Sequence, residues 1–280
     1  MMRSDQNEEF DLVIEGARSG KRYWTDLWQY RELFLFLAWR DILVRYKQTV
    51  IGLAWSIIRP FLTMVVFTFV FGRLAKLPSG GVPYPILVYA AMLPWQFFST
   101  SFNDSSNSLI TNSNMLTKIY FPRMIVPAST VIVNFIDFLI SFLIFIGLML
   151  WYHYTPPWTI LTLPLFFLWV VVISMGTGFY VAAVNVKYRD FKYIVPFVVQ
   201  FGLYISPVGF SSNVIPEKWR LLYSINPIVG VIDGFRWAIL GNSNPVYVPG
   251  FLLSIAITLL FLLFGIVYFR KMERVFADLI

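Results

Sequence analysis

From residue 50 onward the chain alternates long apolar blocks with short polar connectors. The blocks lie near 50–72, 86–108, 125–150, 159–184, 193–211 and 249–269. At about 1.5 Å of rise per residue, each is long enough as a helix to cross a hydrocarbon core of about 30 Å. The pattern therefore predicts an all-α polytopic membrane protein with six transmembrane helices. The second block is polar and the fifth is interrupted by proline, so these two carry the weakest signal. Residues 212–247, between the last two blocks, alternate apolar stretches with Pro216, Pro227, Gly230, Gly234, Gly241 and Pro245. The stretch near 228–240 is too short to span. It is expected to form a re-entrant outer hairpin or interfacial helices before the last span, tolerated at membrane depth only when buried in protein or lining a wet cavity. The Gly230/Gly234 spacing matches a helix-packing motif.

Ahead of the first block, residues 1–27 are polar. Over 28–48, Leu33, Phe36, Leu37, Ile42 and Val44 interleave with Arg31, Glu32, Arg40, Asp41, Arg45 and Lys47. Those charges are too dense for a span. The spacing suits an amphipathic helix in the cytoplasmic interface, with a soluble helix packed on a partner as the alternative. The chain thus divides into a cytoplasmic tail and interface helix (1–48) and a six-span membrane domain (49–280). Residues 1–11 are acid-rich (Asp5, Glu8, Glu9, Asp11) and do not resemble a cleavable signal, so the first span is expected to act as its own insertion signal.

Composition sharpens the class. Of 280 residues 58% are hydrophobic and only 13% charged, about half the charge of a soluble domain. The net charge of +7 does not indicate nucleic acid, because the basic residues flank apolar blocks and form no separate patch. They report topology instead. With the N-terminus inside, the cytoplasmic side holds eight Lys/Arg before the first span, then Lys118 and Arg123, then Lys187, Arg189 and Lys192, then Arg270, Lys271 and Arg274, which makes sixteen. The other side holds five: Arg73, Lys76, Lys218, Arg220 and Arg236. Both termini are therefore expected in the cytoplasm. Without cysteine the chain has no disulfide or thiolate metal site. Its one histidine, His153, rules out a histidine cluster, so no metal site is expected.

Candidate chemistry is sparse. Gly16, Gly20 and Lys21 approach a Walker A, but the spacing is one residue short, Arg22 stands where Ser or Thr would hold Mg²⁺, and no strand precedes the glycines. Any ATP and Mg²⁺ must be bound by another chain. The ionisable groups inside the spans are Arg59, Asp137 and Asp104. Each is a functional candidate by default, but Arg59 can snorkel and Asp137 can accept a hydrogen bond from a neighbouring helix. In the second span Gln96, Ser99, Asn103, Ser106 and Ile110 follow helical spacing, with Thr100 and Asn107 beside that line. Such a stripe is either the wall of a wet pathway or a helix–helix interface glued by small polar residues. Trp95, Phe98 and Phe102 lie next to it, and flat aromatic faces suit the C–H faces of sugar rings. Trp151, Tyr152, Tyr154 and Trp158 fit an interfacial aromatic belt.

Several short motifs then occur in a recognisable order. Tyr46, Lys47, Gly52, Trp55 and Pro60 follow the interface helix. After them come Leu93-Pro94-Trp95 with Phe97-Phe98; Asn114 through Lys118, Phe121-Pro122-Arg123 and Pro127; Tyr188-Arg189-Asp190-Phe191 with Ser206-Pro207; and Asn226-Pro227 with Arg236. Across roughly residues 30–270 this order resembles the permease subunit of ABC transporters that export lipid-linked polysaccharides, such as O-antigen, capsule and teichoic acid. The resemblance implies a homodimer of six-span permeases over two ATPase subunits, in the bacterial plasma (inner) membrane. It implies a polyprenyl-linked polysaccharide as cargo and no covalent chemistry in this chain. A pathway through Trp95, Gln96, Phe98, Ser99, Asn103 and Ser106 is then expected. The loop at 112–124, with Asn114, Lys118, Phe121, Pro122 and Arg123, is expected to couple to the ATPase. Arg40, Arg45, Lys47 and Arg59 are candidate contacts for the lipid pyrophosphate. The same topology would also serve an exporter of a small drug or lipid. A membrane-embedded enzyme would show a cluster of Asp, His or Glu at a membrane face, and no such cluster is visible.

Overall fold

A computed structural model describes residues 20–47, 50–243 and 245–276. The polar tail up to residue 19, with the near Walker A glycine Gly16, lies outside the described residues, as do the side chains of Gly52 and Trp55. Among the described residues the fold is entirely helical. Helices α1 (Gly20–Gln29) and α2 (Arg31–Lys47) lead into α3 (Val50–Phe67), which widens into a π-helical stretch at Thr68–Leu74. The long helices α4 (Tyr84–Thr111), α6 (Ile125–Trp151), α7 (Leu163–Lys187) and α11 (Val248–Glu273) form the bundle, with α8 (Phe191–Ile205) along α4. Short helices α5 (Ser113–Leu116), α9 (Glu217–Tyr223) and α10 (Pro227–Leu240) sit at its ends.

Four helical stretches are long and apolar enough to cross a membrane on their own: Ile57–Leu74, Ile125–Trp151, Trp158–Lys187 and Val248–Glu273. The two weak blocks differ from these for separate reasons. Helix α4 is central, and Ile86 through Trp95 are buried by neighbouring helices. It needs no lipid-compatible face, so its polar residues are tolerated. Helix α8 has only 15 residues, about 22 Å, and stops well before the expected end at 211. The residue preceding a proline is pushed toward extended backbone, and Ser206, before Pro207, sits at φ −77°, ψ 153°.

The segment at 212–247 forms α9, whose Trp219 and Leu222 are exposed, and α10, which is buried along nearly its whole length against α4, α7 and α11. Asn226 caps α10 by accepting from the Ile228 amide, and Pro227 pre-sets its first turn. The Gly230/Gly234 motif serves this packing: a Cβ at Gly230 would lie 2.5 Å from Ser254, and one at Gly234 2.4 Å from the Phe166 ring.

Helices α7 and α11 approach most closely. A Cβ at Gly265 would lie 2.1 Å from the carbonyl oxygen of Gly176, and one at Gly176 2.7 Å from the backbone of Leu262. Backbone cannot yield as a side-chain tip can. Gly265→Ala is therefore expected to destabilise the purified protein by at least the ~1–3 kcal/mol typical of overpacking, seen as a lower thermal midpoint in detergent. Gly147→Ala, with nothing within 4 Å of its Cβ, is the control and is expected to stay at the parent value.

The contacts define two ends. At one, Tyr84, Tyr154, Thr159 and Arg236 bond carbonyls of the 206–210 and 238–239 segments and of Leu87. At the other, Arg40 meets Asn112, and Arg123 meets Glu273. The second end gathers residues 20–47, 112–124 and 270–276, which carry half of the 22 Lys and Arg residues.

Candidate functional site

Helix α4 presents two different faces. Gln96, Thr100, Asn103, Asp104 and Asn107 are partly exposed and Thr111 is exposed. Spaced three or four apart, they form one open polar strip along the helix. Ser99 and Ser106, expected in that strip, are instead buried. Their hydroxyls bond back to the carbonyls of Gln96 and Asn103. The Ser106 carbonyl accepts from Asn185 Nδ2 of α7 at 2.7 Å, while the neighbouring Ser105 hydroxyl reaches the Pro127 carbonyl and Thr130 of α6. The stripe thus divides: Ser99 and Ser106 are buried, with the Ser106 backbone carbonyl meeting α7, while its amides and threonines remain partly open.

Trp95, Phe98 and Phe102 turn toward α8 and, with Phe197, Phe201 and Gly202, line an apolar cavity of about 680 Å³. Phe98 and Phe102 stack at 5.6 Å, and the Trp95 indole fills the space a side chain at Gly202 would need. Along α8, Tyr193, Phe197, Phe201 and Tyr204 form an exposed aromatic ladder. Sequence reasoning missed this ladder, although its i, i+4, i+8, i+11 spacing was the available signal.

The charged candidates fall into two groups. Lys47 and Arg59 are exposed. Arg45 instead inserts between α4 and α6: its guanidinium contacts Asp104 Oδ2 at 2.8 Å and both Asp137 Oδ2 and Asn134 Oδ1 at 2.7 Å. The Tyr46 hydroxyl donates to Asp137 at 2.5 Å. Burial and that hydrogen bond push the Tyr46 phenol above its ordinary value, so it remains a neutral donor. Arg40 reaches Asn112 Oδ1 at 2.9 Å and pairs with Asp41. A polar cavity of about 420 Å³ opens between these groups. Asp104 of α4 and Asp137 of α6 therefore share one arginine carried by α2. The outward face of α2 is apolar, with Leu35, Phe36, Trp39 and Val44 exposed.

The loop at 112–124 is anchored from within. Leu116, Phe121, Pro122 and Met124 are buried in a core shared with Leu109, Phe179, Phe269 and Phe276. Asn114 and Lys118 are exposed, as are Ile119 at 57% and Tyr120 at 56%. Arg123 does not point away from the protein: its amide donates to Glu273 Oε1 at 2.7 Å and its Nη1 to the Glu273 carbonyl at 3.3 Å.

At the opposite end Arg236 is completely buried. It donates to the carbonyls of Leu87 at 3.2 Å, Val208 at 3.0 Å and Phe210 at 2.6 Å. Ser212 lies 2.7 Å from both Asp233 oxygens, Tyr84 donates to the Gly209 carbonyl, and Tyr223 to the Ile205 carbonyl. Side chains thus satisfy the irregular backbone after α8.

The profile of the ABC-2 type transporter family matches residues 32–240, from α2 through α10. The chain belongs to the ABC-2 type transporter family. That membership makes it a transport permease whose ATP is hydrolysed by a separate ABC ATPase, and with its four apolar helices it is a multi-pass membrane protein. Among its relatives, the O-antigen export system permease protein RfbA of Klebsiella pneumoniae is 26% identical, over 89% of this chain and 95% of that protein. The protein of the same name from Myxococcus xanthus is 26% identical over 75% and 81%. The polysialic acid transport protein KpsM of Escherichia coli is 24% identical over 74% and 80%. The resemblance read from the motif order agrees with this family and with these relatives.

Proposed function

We propose that this ABC-2 permease is the channel-forming subunit of an ATP-driven exporter of polyprenyl-linked polysaccharide, working as a homodimer over two ATPase subunits in the bacterial inner membrane. The observation that carries the proposal is the presence of two surfaces on a pair of helices in contact, α4 and α8. The open polar strip of α4, from Gln96 to Thr111, and the exposed aromatic ladder of α8, from Tyr193 to Tyr204, are the two surfaces a hydrated sugar chain uses. Hydroxyls exchange hydrogen bonds with Gln, Asn and Thr, and C–H faces slide over aromatic rings. The names of the relatives support the class of cargo.

In this reading the chain crosses the membrane six times. Helices α4 and α8 complete the count because protein, including a second copy, covers them. The basic end is cytoplasmic, by the excess of Lys and Arg there, and so are both termini. Helix α2 lies in the interface with Leu35, Phe36, Trp39 and Val44 in lipid, and α9–α10 form a re-entrant hairpin closing the outer end. The 112–124 loop receives the ATPase at Asn114, Lys118, Ile119 and Tyr120, while Phe121, Pro122 and Arg123 anchor it. Closure of the nucleotide-bound ATPases moves the loop and opens the path beside α4. The exposed Lys47 and Arg59, with Arg40, attract the lipid pyrophosphate. Arg45 serves mainly to hold helices together, because carboxylates already occupy its guanidinium.

Deletion of the chain in its host tests the proposal. Lipid-linked carbohydrate is expected to accumulate on the cytoplasmic side, with surface polysaccharide lost and restored by the intact gene. Normal surface polysaccharide with a lost efflux phenotype would overturn the proposal in favour of a small drug or lipid as cargo. In the naturally cysteine-free chain, single cysteines at Lys118 and Lys218 are expected to label from opposite sides of the membrane.

A further inference from the structure

We propose that Glu273 is a positioning residue for the coupling loop, so that the C-terminal end of α11 takes part in transmission from the ATPase; this rests on the reading of 112–124 as the ATPase-coupling segment. Helix ends leave backbone groups without intrahelical partners, and α6 has no side-chain cap of its own. The Glu273 carboxylate supplies one from another helix: its Oε1 accepts the Arg123 amide at 2.7 Å, at the entrance to α6. A negative charge there also suits the positive end of the helix dipole. The exchange is reciprocal. The Arg123 guanidinium donates to the Glu273 carbonyl at 3.3 Å, at the C-terminal end of α11, where a cation is favoured. Each helix caps the other across 150 residues of sequence.

The surroundings make this junction stiff. The Arg123 guanidinium lies 5.9 Å from the centre of the Phe276 ring, and Phe276 is completely buried edge-on against Phe269. Arg270, one turn earlier on α11, covers the Tyr23 ring of α1 at 4.8 Å. Beyond the junction, α11 is in backbone contact with α7 at Gly265 and Gly176. Held to α7 and α11 by apolar packing alone, which is non-directional, the loop would slip over that core when its tip is displaced. With Glu273 in place the displacement passes to α6, α11 and α7 together. That block then shifts against α4 and α8, the two helices carrying the polar strip and the aromatic ladder.

The test uses the full exporter, permease with its ATPase, in inverted membrane vesicles from cells that make the lipid-linked glycan. ATP hydrolysis is measured beside ATP-dependent transfer of lipid-extractable carbohydrate into the lumen. Glu273→Ala is expected to leave ATPase association and hydrolysis in place while carbohydrate transferred per ATP falls about fivefold or more, the size of effect expected for a residue on a coupling route. Glu273→Gln keeps an acceptor for the Arg123 amide and is expected to stay within about twofold of the parent. A merely structural role would lower the amount of complex and leave the ratio unchanged. An unchanged ratio in Glu273→Ala, or a loss in Glu273→Gln as deep as in Glu273→Ala, overturns the proposal. Should Glu273→Ala yield no folded complex, Glu273→Asp, one methylene short of the amide, is expected to show the same drop in ratio, and a parental ratio there overturns it. A cysteine placed by Lys118→Cys and cross-linked to the ATPase separates the two claims. Failure of that cross-link in the otherwise native exporter removes the coupling-segment reading itself, whereas an intact cross-link with an unchanged ratio removes only the role of Glu273.

Discussion

Replacing Arg236 with methionine is expected to cost about 3–5 kcal/mol and to leave little folded protein, because it removes the one side chain that satisfies three carbonyls at once. The cost follows from position. The backbone from Ser206 to Phe210 leaves helix at the proline and cannot make its own ladder, so the Val208 and Phe210 carbonyls need donors from elsewhere. Arg236 supplies them from α10 and also holds the Leu87 carbonyl of α4. Water cannot substitute at a site with no exposed surface. A planar fork with five donors reaches three acceptors on two segments, which an ammonium cannot do. Arg236→Lys is therefore expected to fall between the parent and Arg236→Met. Asp233→Asn keeps an acceptor for Ser212 and is expected to cost less than either. Thermal midpoints of detergent-purified variants give the order. A parental midpoint for Arg236→Met would mean that the irregular segment finds other partners.

The sequence made the apolar spans legible and left the polar junctions unread, for a physical reason. A span announces itself locally, since hydrocarbon demands a run of apolar residues, and Ile125–Trp151 and Val248–Glu273 show that demand directly. The stop at Ile205 also had a local signal in Ser206-Pro207, although the apolar block carried the expected span on to 211. What α4 does with its polar residues was not local. Gln96 and Asn103 look the same in sequence as Ser99 and Ser106, and only the packing of α6 and α7 decides which pair stays open. Arg123 was visible as a basic residue in a connector, but its partner Glu273 lies 150 residues away, and nothing near Arg123 hints that the charge turns inward. Asp104 and Asp137 were visible as costs. The residue that offsets them, Arg45, lies 59 and 92 positions away in a helix read as superficial. A charge in an apolar block tells a reader that a partner exists without saying where.

That last junction gives the second large effect. Arg45→Met is expected to destabilise the protein by about 2–4 kcal/mol, since removing one member of an ion group leaves the others uncompensated. The figure sits below that for a fully enclosed pair because the Arg45 side chain is 36% exposed, with Asp104 at 29% and Asp137 at 22%, so hydration recovers part of the loss. The carboxylates of α4 and α6 then lose the cation between them, while the Tyr46 hydroxyl still donates to Asp137. The diagnostic variant is the triple replacement Arg45→Met, Asp104→Asn and Asp137→Asn. If the cost of Arg45→Met is stranded charge, neutralising the aspartates is expected to recover most of the lost stability, since a neutral set forgoes the attraction and the desolvation together. If the cost is lost packing of the arginine stem between the helices, the triple variant is expected to remain as unstable as Arg45→Met. Stability and transport then separate: with the charges gone, α2 is no longer tied through Arg45 to the helix that carries the polar strip, so the recovered triple variant is expected to fold like the parent and export less glycan.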